Sequence, residues 1–367
     1  MLPVAGWAQS WQMTREGELW VRTFNQQAPA ESHVRINAHG SVELHGNLAP
    51  NFVYTVKIGV RARTAEQARV RLEKLKPTIE SQADWLVLTT PGRDAVSSVV
   101  MLAPRLVEAS VSTSDGAVKA DGIDGPLFVD TGADEIRVDR IHGNCTLQTG
   151  GGPIEVGRVD GYLHGLTVAG PIRVQTVSGD ADLRTNGGDI EAMTIGGRAH
   201  VETGGGTVHI HSAGGPVTAV NGGGPIIVDR ANGLVSAHNV AGPVRVGAAS
   251  GIRCESNGGV QLSNITGAMN VNTSMGSIFA NLFGSRLAES LLATANGDIT
   301  VVIPSNLGVT IRARNQMADT FRRITSEYRE IQPYLRGSYL IAEGRINGGG
   351  PLLEISTRSG TIFLRRQ

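Results

Sequence analysis

Aromatic residues are scarce, with seven Phe, five Tyr and four Trp in 367 residues, and Trp7, Trp11, Trp20 and Trp85 all precede residue 86. The glycine-rich middle draws its apolar residues almost purely from small and aliphatic types, so two differently packed regions are expected. Cysteine is nearly missing too. Cys145 and Cys254 stand far apart with no C-x-x-C and no His/Cys cluster, which argues against a thiolate zinc module and leaves two small buried hydrophobes. Neither sign of charge predominates, because 33 Lys and Arg balance 33 Asp and Glu. No global field gathers nucleic acid or anionic lipid, and a charge-driven polyanion partner is disfavoured. No apolar run approaches the length of a membrane span, and no lipobox cysteine is present.

The apolar share of 40% is enough for a sizeable core and excludes disorder. The opening MLPVAGWAQS resembles the tail of a signal peptide, with Gly6 and Ala8 placed for cleavage before Gln9 but no charged start. A basic segment upstream of Met1 is therefore expected, with a periplasmic, cell-surface or secreted destination.

Glycine is abundant, at 48 residues, and recurs at fixed intervals between β-branched residues, unlike glycine in a linker. From Glu108 to Gly251 the chain divides without a gap into eight blocks of 18 residues, each ending in glycine; DADLRTNGGDIEAMTIGG and RAHVETGGGTVHIHSAGG are two of them. The eleventh position is always Ile or Val (Val118, Ile136, Ile154, Ile172, Ile190, Val208, Ile226, Val244), and the thirteenth is Ala, Val or Ile. Positions two and four are small or aliphatic, and position six is Thr113, Thr131, Thr149, Thr167, Thr185, Thr203, Asn221 or Asn239.

Successive side chains of a strand point to opposite faces, so positions two, four and six share one face, and eleven and thirteen form a second inward pair. The expected fold is an all-β parallel β-solenoid with two short strands per 18-residue rung. Stacked rungs then carry columns of Ile/Val and a column of Thr/Asn whose polar atoms bond to one another or to turn backbone. Glycine at position nine is expected to supply backbone freedom for the turn between the strands. The pattern continues in IRCESNGGVQLSNITG and AMNVNTSMGSIFANLFG, at Thr294, Gly297, Ile299 and Val301, and at Thr357, Gly360, Ile362 and Leu364.

Flanking segments depart from this period. Alternation at Tyr54, Val56, Ile58 and Val60 predicts a strand. Thr64 and Gln67 fit a capping box, and Ala68, Leu72, Leu75 and Ile79 fit a helical stripe weakened by Pro77; Trp85 to Leu88 then returns as a strand. Met317, Phe321, Ile324, Tyr328 and Ile331 fall at helical spacing and predict an inserted helix. The expected organisation is a signal remnant over 1–10, an α+β cap over 11–106, the solenoid over 107–310, and a helical insertion with a closing rung over 311–367.

With the rungs laid out, the chain resembles the bacterial family of β-strand-repeat domains named "putative adhesins". The resemblance rests on the lead-in TAEQARVRLEKL, the entry LAPRLVEASVSTSDGAVKADGIDG and the closing GRINGGGPLLEISTRSGTIFLRR, and covers nearly the whole chain after residue 30. It implies an envelope or extracellular scaffold; its motifs specify a fold rather than an activity.

Candidate chemistry is sparse. The GGGP and GGGT runs lack GxxxxGK[ST] and a following helix, so they read as turns rather than a phosphate cradle. Calcium rolls use half this period with a regular aspartate, and the Thr column shares the parity of the core, unlike outward ice-binding ranks. Stacking places His164, Asp182 and His200 in one outward column and Arg184 and Glu202 in the next, where exposed ion pairing is the ordinary outcome and a polysaccharide-cleaving patch the sharper one. His209 and His211 form an outward H-x-H open to adventitious metal. No catalytic residue, cofactor site or dedicated metal site is assigned. The expected function is a non-catalytic scaffold or adhesin-like binding module for a glycan or protein; the alternatives are a β-helix carbohydrate-active enzyme and a polymerising scaffold.

Overall fold

Aliphatic side chains that recur every 18 residues can leave water together only if each rung lies in register on the last, because a slip of one residue would turn them all outward. The computed structural model describes residues 11–92, 94–284, 287–316 and 323–367. These fall into two units, divided between Glu155 and Val156. The chain is a β-solenoid, with strands over 58% of its residues and one short helix among those described.

In the first unit the parallel ladders begin before the 18-residue period becomes regular. His33–Ala38 pairs in parallel with both Trp85–Thr89 and Glu108–Thr113, and Gly40–His45 pairs with Val96–Leu102 and Val118–Ile123. Residues read from the sequence as cap thus already form rungs. The expected strand is Phe52–Arg61, antiparallel to Leu19–Ala28 and Val96–Leu102. The helix is shorter than its stripe: it runs Ala65–Lys74, Thr64 Oγ1 accepts the Gln67 N–H at 3.3 Å, and only Ala68 and Leu72 are buried. Leu75 is its C-cap and Ile79 lies in the strand Thr78–Gln82. Pro77 disfavours helical backbone at the residue before it, which ends the helix early.

In the second unit each rung contributes one strand to each of two ladders. Ile172, Ile190, Val208, Ile226 and Val244 pair in strict succession and are buried; Ile154 is equally buried within the first unit. On the other ladder Ala181, Ala199 and Val217 stack, as do Leu183, Val201 and Ala219. Cys254 occupies such a core position between Ala237 and Val271, and Cys145 pairs with Leu127 in the first unit. Both are free and buried.

The sixth-position column joins consecutive turns. Thr185 Oγ1 donates to Gly170 O of the preceding rung at 3.0 Å and accepts the Gly188 N–H of its own turn at 3.1 Å. Thr203 repeats this with Gly188 and Gly206, and Asn221 spans the same gap with Nδ2 on Gly206 O and Oδ1 on Gly224 N–H. Turn backbone, not a neighbouring hydroxyl, is the partner.

Gly116 at the ninth position supplies the expected backbone freedom, but the later ninth-position glycines serve another purpose. Gly116 has φ +108°, but a Cβ on Gly188 would lie 2.1 Å from Gly170 O, so close stacking of turns, not left-handed backbone, excludes a side chain there.

The closing rung is Leu352–Thr357 and Ile362–Arg366, with Thr357 on Thr294, Ile362 on Ile299 and Leu364 on Val301 as expected. Upon it lies a further rung from the segment expected to be helical. Val309–Asn315 pairs with Leu352–Thr357, Ile324–Ser326 pairs with Ile362–Arg366, and Asn315 takes the column position by donating Nδ2 to Gly360 O at 2.6 Å. The expected helix over Met317 to Ile331 is thus corrected within the described residues: Ile324 is in a strand, and Tyr328 and Ile331 flank a turn at 329–330 that the Ile331 N–H closes on Tyr328 O. Their helical spacing is overridden because all three bury against the last rungs from extended and turn backbone. Met317 and Phe321 lie outside the described residues, as do Gly6, Ala8 and Gln9.

Candidate functional site

Inward positions are filled by the core and its turn ladder, so ligand chemistry falls to outward positions, where the sheet sets one side chain per rung at about 4.8 Å. In the second unit the strands Leu163–Thr167, Ala181–Thr185 and Ala199–Thr203 bring His164 beside Asp182 and Asp182 beside His200, as the period predicted. The outcome is an ion-pair patch. Arg184 grips Asp182 with two bonds along its own strand, Nε to Oδ1 at 2.9 Å and Nη2 to Oδ2 at 3.0 Å, while His164 Nδ1 stands 3.5 Å from Oδ2. The hydrogen bond to Asp182 and its charge hold the Arg184 guanidinium pKa above its ordinary value, with a smaller contribution from Glu202 one rung on.

The next outward column forms a groove. Leu166, Arg184, Glu202, Val220 and His238 occupy the same position on five successive rungs and, with Asn186, Gly204, Gly222 and Val240, line an open groove of about 550 Å³. Four inter-rung steps make it about 19 Å long. Its floor alternates apolar, charged and polar groups, which suits an extended ligand better than a compact one.

The other ladder carries a second constellation. His209 and His211 point outward from Val208–Ala213 with ring centroids 3.8 Å apart. Glu191 is paired to His209 from Ile190–Ile195, and Asp229 reaches in from Ile226–Ala231. Asp229 Oδ2 lies 3.1 Å from His209 Nε2 and 3.0 Å from His211 Nδ1, while His211 Nε2 faces Glu191 Oε1 at 3.6 Å. Glu191, His209 and His211 each offer a ligand atom within 4.8 Å of the others, the one such group among the described residues.

The sequence reading found H-x-H but missed both acids. The signal was present in the period itself, because Glu191 is 18 residues before His209 and Asp229 is 18 after His211. The cysteines are not reagents: burial pushes the Cys145 thiol up, and burial, then the charge of Glu255, pushes Cys254 up to about 12.

Among the described residues, no helix is long and apolar enough to cross a membrane. No family model matches the chain, and no curated protein matches its sequence. Among solved structures it is similar to a "putative adhesin" of Bacteroides fragilis at 13% identity, over 69% of this chain and 96% of that one, with a TM-score of 0.31. A "putative cell adhesion protein" of Clostridium sporogenes matches at 9% identity over 95% and 100%, with a TM-score of 0.18. A "putative lipid binding protein" of Parabacteroides distasonis matches at 12% identity over 94% and 96%, with a TM-score of 0.23. At these low identities, the chain is similar to solved bacterial proteins named chiefly for adhesion.

Proposed function

We propose that this protein is a non-catalytic β-solenoid scaffold of the cell envelope or the extracellular space, and that it binds an extended glycan or polypeptide chain along an outward column. The observation that carries this reading is the five-rung groove from Leu166 to His238. Its walls are held by a rigid turn ladder beneath, and its length follows the repeat. Backbone geometry fixed by the core supplies preorganisation, which lowers the ordering cost of binding. Arg184, tied to Asp182, is fixed as a donor, and Val220 and Leu166 supply apolar contact between the polar groups.

The test is a glycan and peptide array on the purified full chain, run alongside assays for new reducing ends and for lyase products. Binding that falls at least about tenfold, or about 1.4 kcal/mol, in Arg184→Ala/Glu202→Ala with an unchanged melting temperature supports the reading. Turnover of a polysaccharide would replace it with the enzymatic alternative. Export belongs to the proposal as well, and mature protein found only in the cytoplasm after fractionation would remove that part.

A further inference from the structure

We propose that Glu191, His209 and His211 form a binding site for one divalent transition-metal ion of the zinc, nickel or copper class, with Asp229 orienting the two imidazoles. The site lies on the ladder that does not carry the groove and does not depend on the binding-module reading.

Three observations converge. The register of the ladder delivers the ligands without any special loop: His209 and His211 share one face two residues apart, and Glu191 is the rung neighbour of His209. The ligand atoms lie within 4.8 Å of one another. Lastly, His211 Nε2 is buried with no hydrogen-bond partner, although Glu191 Oε1 is only 3.6 Å away. That gap is too long for a hydrogen bond. It matches the separation of about 3.4 Å between two ligands of a tetrahedral ion with bonds of about 2.0–2.1 Å.

The opposite edge of the same ring completes the pattern. His211 Nδ1 lies 3.0 Å from Asp229 Oδ2, so a carboxylate backs the histidine on the side away from Glu191, the arrangement that fixes tautomer and ring orientation in histidine-ligated metal sites. The same oxygen meets His209 Nε2 at 3.1 Å, so one carboxylate sets both rings. Two carboxylates flank the two imidazoles, which favours a dication. Two nitrogens and one oxygen without a thiolate select borderline ions over magnesium or calcium, which prefer oxygen alone. Three protein ligands leave a fourth position for water or an incoming donor group.

Untagged full-length protein, stripped with a chelator, should take up one Zn²⁺ per chain by calorimetric titration. Its melting temperature should rise with zinc concentration and stay unmoved by magnesium, since an ion that binds only the folded state stabilises it by mass action. Asp229→Asn should weaken zinc about 10- to 100-fold, and His209→Ala/His211→Ala should abolish the stoichiometric step. His164→Ala, on the other ladder, should change nothing. Substoichiometric uptake in the native chain, or uptake retained by the double-histidine variant, overturns the site. Should that variant lose its far-ultraviolet β signature, the visible spectrum of Co²⁺ on the native chain decides instead: intense tetrahedral bands support the site, and the weak octahedral spectrum of free ion overturns it.

Discussion

At the scale of the residue, two kinds of position hold the turns together, and each can be broken separately. Gly188 has no room for a methyl group because Gly170 O of the previous turn would lie 2.1 Å from it, whereas a Cβ on the adjacent Gly187 meets nothing within 4 Å. Gly188→Ala should therefore cost about 1 to 3 kcal/mol as turns are forced apart, and Gly187→Ala should stay within about 0.5 kcal/mol. Denaturant melts of the two variants read the difference, and equal losses would refute the stacked-turn account. Thr185 is tested the same way. Valine keeps its shape but leaves Gly170 O and Gly188 N–H without the hydroxyl between them, so Thr185→Val should cost about 1 to 3 kcal/mol, while the exposed neighbour change Arg184→Ala stays within about 0.5. A neutral Thr185→Val joined to a severe Arg184→Ala would reverse the assignment of the inward face.

Cys254 adds a pH dependence of defined sign. Its thiol is raised in the folded chain from 9.0 to about 12, so the folded state disfavours the thiolate. The stability this represents is complete below the unfolded thiol's pKa and is lost as pH rises from about 9 towards 12. At pH 8 a thiol reagent should label Cys254 only after denaturant is added; rapid labelling of the native chain would contradict its burial.

At the scale of the element, legibility in the sequence depended on how often a pattern was repeated. The strands Ala181–Thr185 and Ile190–Ile195 could be placed from eight aligned blocks, since one misleading residue is outvoted by its equivalents. The segment from Val309 to Ile331 had no such support. Alternation at Ile311, Ala313 and Asn315, with Arg312 and Arg314 outward, marks a strand, yet the apolar spacing further along imitates a helix. Its true register is set by Leu352–Thr357, which comes later in the chain and is invisible to local periodicity. The metal cluster was half legible for a related reason: H-x-H is local, while Glu191 and Asp229 join only when the period is applied to outward as well as inward positions. The strand assignment has a direct check. Backbone amides of Thr310 and Gln316, which donate to Pro351 O and Thr357 O, should exchange more than about 100-fold slower than in unfolded chain, and Ile311 to Asn315 should show β-type carbon shifts. Helical shifts over those residues would overturn the added rung.

At the scale of the whole molecule, repetition makes each rung of the second unit answerable mainly to its two neighbours, so stability should be close to a sum over rungs and their interfaces. Excising Arg198 to Gly215 removes one complete rung and joins Gly197 to Pro216. Every inward residue then finds an equivalent partner: Ile190 meets Ile226, Ala181 meets Val217, and Asn221 can donate to Gly188 O in place of Gly206 O. The shortened chain should stay cooperative, losing about 1 to 3 kcal/mol, the share of 18 residues in a typical per-residue stability. Excising only Arg198 to Gly206 removes half as much chain but takes one strand without its mate. Val208–Ala213 would then follow Gly197 with only Thr207 between and enter the ladder of Ala181–Thr185, sending each later strand to the wrong sheet and leaving Asn221 without the turn carbonyl it bonds. The smaller deletion should therefore be the more damaging, with loss of the cooperative transition. Paired thermal melts decide it: a half-rung deletion as stable as the full-rung deletion would mean that the two ladders are interchangeable and that the 18-residue rung is not the unit of folding.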